Sequence, residues 1–264
     1  MPSILRALIL GDVIGQPGCR ALFFGLKKLI KTTKSDFVVV NGENAADGYG
    51  LTPELAEGLF QSGVDVITSG NHIWQKKEIY PLLESENRIL RPENYPNGVP
   101  GKGHCILEKS GAKIAVLNLE GRVYLSNIRC PFRVGREITT RLQNTTNIII
   151  LDFHAEWPEE KEALAIYLDG RISVLAGTHT HVQTADERIL AGGTGYITDI
   201  GMSGPAESVI GMKIETAVKR GLTQMPLKLE VEDKPVEISG IVVEIDKSTG
   251  NALSLKRIRE KSAI

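Results

Sequence analysis

The chain has 264 residues, 42% hydrophobic and 24% charged, and 31 Lys+Arg against 32 Asp+Glu leave a formal charge of -1. That apolar share excludes disorder as the general state. The balanced charge excludes a general nucleic-acid binder, which needs a basic surplus to displace counterions from phosphates.

Ile4–Leu10 opens the chain as an apolar run. Arg6 interrupts it and no A-x-A-like cleavage site follows, so it reads as a first strand and not as a secretory peptide. Leu22, Leu26, Leu29 and Ile30 recur at helical spacing, with Lys27, Lys28 and Lys31 for the wet side. Phe37–Asn41 is the next strand. Thr52-Pro53 opens a second helix, striped by Leu55, Ala56, Leu59 and Phe60 and closed at Gly63. A threonine N-cap, proline at N1 and glycine just past the end suit a helix of that length. Val64–Ser69, Ile114–Leu119, Asn147–Phe153 and Ile172–Ala176 are β-branched runs of the kind buried on both faces.

Between these runs, residues 88–103 are rich in Pro, Gly and Asn and read as irregular. Residues 120–146 read as a helical excursion forming a small cap, and Glu159–Leu168 as a helix. The last third turns to strands at Gly195–Asp199, Leu227–Val231 and Val236–Ile245, the last two predicted as a hairpin around Glu232-Asp233-Lys234-Pro235. Strand and helix alternate as in a layered α/β fold. No linker breaks the chain, which reads as a single domain over 1–264. No apolar stretch approaches the ~18–20 residues that cross a bilayer. Cys19, Cys105 and Cys130 are odd in number and widely spaced, against a disulfide framework or a thiolate metal site. A cytoplasmic protein without membrane partners is the expectation.

The strand ends carry the chemistry. The successive runs stop at Gly11-Asp12, Asn41-Gly42-Glu43-Asn44, Gly70-Asn71-His72, His154 and Gly177-Thr178-His179-Thr180-His181. Of five histidines, only His104 lies elsewhere. Loops after the carboxyl ends of parallel strands converge on one crevice, so Asp12, Glu43, Asn44, Asn71, His72, His154, His179 and His181 can meet. Singly, each has a bland reading as a turn, a helix cap or a histidine bonded to a carbonyl. Five such coincidences at five strand ends favour a joint site.

These oxygen and imidazole donors suit Fe, Mn, Zn or Co. They exceed one tetrahedral site of about four ligands. A pair of metals sharing the Glu43 carboxylate uses them better. Two divalent ions bring +4 and Asp12 with Glu43 return -2. The positive surplus fits an anionic phosphate and lowers the pKa of a bridging water, pointing to phosphoester hydrolysis.

The same ordered motifs resemble those of the calcineurin-like metallophosphoesterase superfamily. Within it, Gly11–Gly18, Asn41–Ala46, Asp152–Glu156, Gly177–Asp186 and Tyr196–Met202 look most like the YmdB-like family of bacterial 2′,3′-cyclic-nucleotide phosphodiesterases. Two departures from the superfamily pattern are shared with that family: Ile14 stands where most members place a histidine, and Glu43 replaces an aspartate. The resemblance implies a four-layer αββα sandwich, iron or manganese, and self-association into a homo-oligomer. It implies one metal on Asp12, Glu43, Asn44 and His181 and a second on Glu43, Asn71, His154 and His179. His72 would then be the proton donor to the leaving group, after attack by a metal-bridging hydroxide on a cyclic nucleotide or an RNA end. Two other readings compete. One is an amidohydrolase-type metal hydrolase, although there the His-x-His pair comes early. The other is a metal-containing regulatory or RNA-binding protein without turnover.

Overall fold

The computed structural model describes residues 3–233 and 235–261. The first half runs β1 (Ile4–Leu10), β2 (Asp12–Val13), α1 (Gly15–Thr33), β3 (Phe37–Asn41), α2 (Pro53–Ser62), β4 (Val66–Thr68), α3 (Tyr80–Ser85), β5 (His104–Lys109) and β6 (Ala112–Glu120). Then come α4 (Pro131–Leu142), β7 (Ile148–His154), α5 (Pro158–Tyr167), β8 (Val174–Thr178), β9 (Arg188–Ile189), β10 (Gly195–Ile197), β11 (Met202–Pro205), α6 (Ile214–Thr223), β12 (Val236–Asp246) and β13 (Ala252–Lys261).

These strands form two sheets. The first has the order β2-β11-β12-β1-β3-β4, with β13 paired to β12. The second has the order β5-β6-β7-β8-β10-β9. β1, β3 and β4 are parallel to one another, as are β6, β7, β8 and β10, whereas β5, β9 and β12 pair antiparallel with their neighbours.

Strand periodicity explains the layering, because successive side chains point to opposite faces. Leu8, Leu10, Val38 and Val40 pack with Leu22 and Leu26 of α1 and Leu59 of α2. Their neighbours Ala7, Ile9 and Val39 face the other way and meet Ile114, Val116, Ile150 and Val174 of the second sheet. The far face of that sheet presents Leu117, Ile149, Leu151 and Phe153 to Val134 and Ile138 of α4 and Leu164 of α5. The result is the expected four-layer αββα sandwich, each central strand buried on both faces.

Local signals hold where they were strongest. The Thr52 hydroxyl accepts from the Leu55 amide, Pro53 opens α2, and Gly63 ends it in the left-handed region at φ 114°. Two expectations need correction. The helical excursion in 120–146 is α4, and Val134, Ile138 and Leu142 seat it in the outer layer instead of in a cap. Leu227–Val231 is not a strand: it is irregular and half-exposed, held by an isolated Met212–Val231 bridge and by the Lys213 amide donating to the Glu230 carbonyl at 2.9 Å. The hairpin partner of β12 is β13, with Ile241 opposite Arg257. Lys234 of the predicted turn lies outside the described residues. Among the described residues, no helix is long and apolar enough to cross a membrane.

Candidate metal centre

The parallel strands of both sheets end at one rim, and the sequence-predicted residues gather there. Asp12 lies in β2, Glu43 and Asn44 follow β3, Asn71 and His72 follow β4, His154 ends β7, and His179 and His181 follow β8. Asp12, Glu43, Asn44 and His154 are fully buried or nearly so. The crowding dictates some backbone. A Cβ at Gly70 would lie 2.1 Å from His154 Cδ2 and 2.3 Å from Glu43 Oε2, so the chain passes this close to the centre only with glycine there. His179 (φ 102°) and His181 (φ 65°) adopt the left-handed region without being glycine. Such backbone persists only where surrounding contacts over-determine it.

Two groups of donors form around Glu43. In the first, His154 Nε2 stands 3.0 Å from Glu43 Oε1, 2.9 Å from His179 Nδ1 and 3.2 Å from Asn71 Oδ1. Ligand atoms of Glu43, His154 and His179 all lie within 4.8 Å of one another. In the second, Asn44 Nδ2 is 3.3 Å from Asp12 Oδ1, 3.2 Å from Glu43 Oε1 and 3.2 Å from His181 Nε2. All seven residues expected as ligands therefore belong to one cluster. His72 sits beside it, its Nδ1 2.7 Å from Asn44 Oδ1.

Hydrogen bonds on the outer side of each imidazole fix which nitrogen faces inward. His154 Nδ1–H donates to the Thr178 hydroxyl at 2.9 Å, which donates in turn to Asp152 Oδ1 at 2.7 Å. His179 Nε2–H donates to Glu156 at 3.1 Å, and His181 Nδ1–H to the Ile210 carbonyl at 2.9 Å. Each ring thereby turns its other nitrogen toward the cluster, as metal-ligating histidines with outer partners do.

The electrostatics follow from burial. Burial alone would raise the Glu43 carboxyl, but His154 and His72 beside it hold it well below the usual carboxylate range. Burial opposes charge on His154, yet Glu43, Asp12 and Asp152 push that imidazole up to about 9. Burial and the His154 charge together push His179 down to about 3. Burial also raises Asp12, against the pull of His181 and His154. One proton on His154 Nε2 is thus shared among three acceptors. A donor set of two buried carboxylates, three inward imidazoles and two amides fits divalent transition-metal ions, which supply more positive charge at the same place.

Several supporting residues went unread in the sequence. Asp152, pushed up to about 6 by burial, accepts from Asn41 Nδ2 at 3.0 Å and from Thr68, joining the two sheets behind His154. Its signal was there: a carboxylate two positions before His154 shares the strand face of that histidine. Lys161, fully buried in α5, donates to the Thr178 carbonyl at 2.8 Å and to Asp199 at 2.9 Å. A lysine in helical register with buried Leu164 and Ala165 was its legible mark.

Comparison with known proteins places relatives along nearly the whole chain. The profile of the YmdB-like protein family matches residues 8–258. The chain is 45% identical to a 2′,3′-cyclic-nucleotide 2′-phosphodiesterase from Bacillus subtilis, over 96% of each chain. It superposes on the crystal structure of a hypothetical protein from Thermus thermophilus with a TM-score of 0.90 at 38% identity, covering 98% of this chain and 100% of the other. A crystal structure titled as a novel phosphatase from Mycoplasma pneumoniae matches with a TM-score of 0.93 at 33% identity, covering 99% and 95%.

Proposed function

The chain belongs to the YmdB-like protein family, and from that premise we propose that it is a metal-dependent phosphodiesterase that opens 2′,3′-cyclic nucleoside phosphates. The observation that carries the reading is the convergence of Glu43, His154 and His179 on one point, with the remaining predicted donors around it. The family relationship to the Bacillus subtilis enzyme supports the substrate class. RNA ends bearing the same cyclic phosphate are a second substrate to test.

Asp12, Glu43, Asn44 and His181 would hold one ion, and Glu43, Asn71, His154 and His179 the other, with iron or manganese as the metals. Bound there, two divalent ions supply Lewis acidity and a nucleophile at neutral pH. The chain supplies charge balance: two carboxylates against neutral imidazoles and amides leave the site attractive to a phosphodiester anion. His72 supplies the proton. Opening the cyclic phosphate consumes one water: a bond from the water oxygen to phosphorus forms as one bond from phosphorus to a sugar oxygen breaks. The proton from His72 goes to that oxygen, and the product is a nucleoside monophosphate. Asn44 links ligand and acid: its Oδ1 accepts from His72 Nδ1 and orients that ring while Nδ2 lies among Asp12, Glu43 and His181, and to hold an ion the amide would turn its oxygen to that side.

Chelated protein reloaded with Mn²⁺ or Fe²⁺ tests the reading against 2′,3′-cyclic AMP. His72→Ala is expected to lower kcat by ~10²–10⁴-fold, the usual worth of acid catalysis, with metal content intact. Asn71→Ala or His179→Ala is expected to lose one metal equivalent. Turnover that survives chelation, or binding without turnover, refutes the reading. Loss of metal from His72→Ala makes that histidine a ligand.

A further inference from the structure

Resting on the phosphodiesterase reading, we propose that the apolar wall beside the metal centre, formed by Tyr49, Ile210, Met212 and Leu229, is a nucleobase subsite with Tyr49 as its stacking platform. A cavity of about 280 Å³ is lined by donors of the cluster and His72 together with these four residues. This mixed lining matches the two parts of a nucleotide: cation-binding donors for the phosphate and apolar side chains for a flat aromatic base.

Tyr49 is placed for this. Its ring packs T-shaped against His72 with centroids 5.0 Å apart, and both line the same cavity. The residue is 37% exposed, and its hydroxyl makes no hydrogen bond among the described residues. The loop that carries it is tied to the ligands themselves. Gly50 N–H donates to the Glu43 carbonyl at 2.5 Å, Gly48 N–H to the Asn44 carbonyl at 3.1 Å, and Tyr49 N–H to the Ala46 carbonyl at 3.0 Å. The ring is therefore held in fixed relation to Glu43 and Asn44, which limits the entropy lost on stacking. The opposite half of the wall is tied the same way, through the Ile210 carbonyl that accepts from His181. The four wall residues carry no amide or guanidinium group to read base edges. Recognition is by stacking and burial, which tolerates all four bases.

The test compares 2′,3′-cyclic AMP with glycerol 1,2-cyclic phosphate, a base-free five-membered cyclic phosphodiester, on the metal-loaded enzyme. The ratio of kcat/KM for nucleotide over base-free substrate is expected to fall by about 5- to 150-fold in Tyr49→Ala, the range that stacking on one aromatic ring contributes. The change is expected mainly in KM. Tyr49→Phe is expected to keep the ratio, and Met212→Ala to lower it. An unchanged ratio in Tyr49→Ala, from equal loss on both substrates, assigns Tyr49 to supporting His72 and overturns the subsite. A wild-type enzyme that treats both substrates alike also overturns it. Should the wild type cleave neither, the phosphodiesterase reading fails separately. Calorimetric binding of AMP against glycerol phosphate, wild type against Tyr49→Ala, then decides the subsite alone, with equal affinities overturning it.

Discussion

Replacing Asp199 with alanine probes what holds the His179–His181 loop in its left-handed backbone. Lys161 and Asp199 are both fully buried and paired at 2.9 Å. Asp199 Oδ2 also accepts the Thr180 amide at 3.1 Å, and Oδ1 the Gly201 amide at 2.9 Å, while Lys161 reaches the Thr178 carbonyl. The pair therefore clamps Thr178 and Thr180, the residues on either side of His179. Asp199→Ala leaves a buried ammonium without its counter-charge, a loss of about 3–5 kcal/mol. Two backbone N–H groups also lose their acceptor, so the expected destabilisation is at least ~3 kcal/mol even allowing for non-additivity. Lys161→Met should cost less, because Asp199 keeps both backbone donors. The double variant should cost less than the sum of the two, since no unpaired charge stays buried. Urea unfolding of metal-free protein measures these differences without a contribution from metal binding, and elemental analysis of reloaded protein should show Asp199→Ala depleted. A loss under about 1 kcal/mol in Asp199→Ala, or strict additivity in the double variant, refutes the clamp.

Two further outcomes follow from the centre itself. In metal-free protein His154 is pushed up to about 9, and a ligand imidazole must be neutral, so metal uptake at pH 7 should expel about one proton from it. Apparent affinity then rises with pH to about 9 and levels above it; calorimetry in buffers of different ionisation enthalpy reads the proton count, and zero release contradicts the assignment. Gly70→Ala would place a methyl 2.1 Å from His154 Cδ2. It should destabilise the fold by about 1–3 kcal/mol through overpacking and empty the site that His154 shares, whereas full metal occupancy by elemental analysis would show that the loop adapts.

How legible each feature was depends on whether its cause is local. The eight site residues could be read because parallel strands bring their carboxyl ends together whatever their separation in sequence. The clamp could not, because Lys161 meets Asp199 across 38 positions and only the packing of α5 against the second sheet joins them. The misreadings have the same origin. In 120–146, mixed charge, Pro131 and isolated apolar positions read as a cap, although Val134, Ile138 and Leu142 recur every four residues and face the sheet. Leu227, Leu229 and Val231 alternate like a strand, but β12 is already paired with β1, β11 and β13 and leaves them no edge.

Ile14 shows how an expected departure is accommodated. Most of the superfamily that the motifs resemble has a histidine at that position; here the isoleucine is fully buried at the start of α1. A Cβ at Gly211 would lie 2.6 Å from Ile14 Cγ2, so Ile14 packs directly beneath the turn that presents Ile210. The Ile210 carbonyl takes the Nδ1 proton of His181 and turns Nε2 toward Asp12 and Asn44. Loss of a donor at residue 14 is thus matched twice. The Asn44 amide enters the cluster from the neighbouring strand end, and the apolar side chain left behind supports the loop that orients His181. A histidine restored at position 14 would put a polar ring where Gly204 and Gly211 approach most closely, and would loosen that support before it reached a cation.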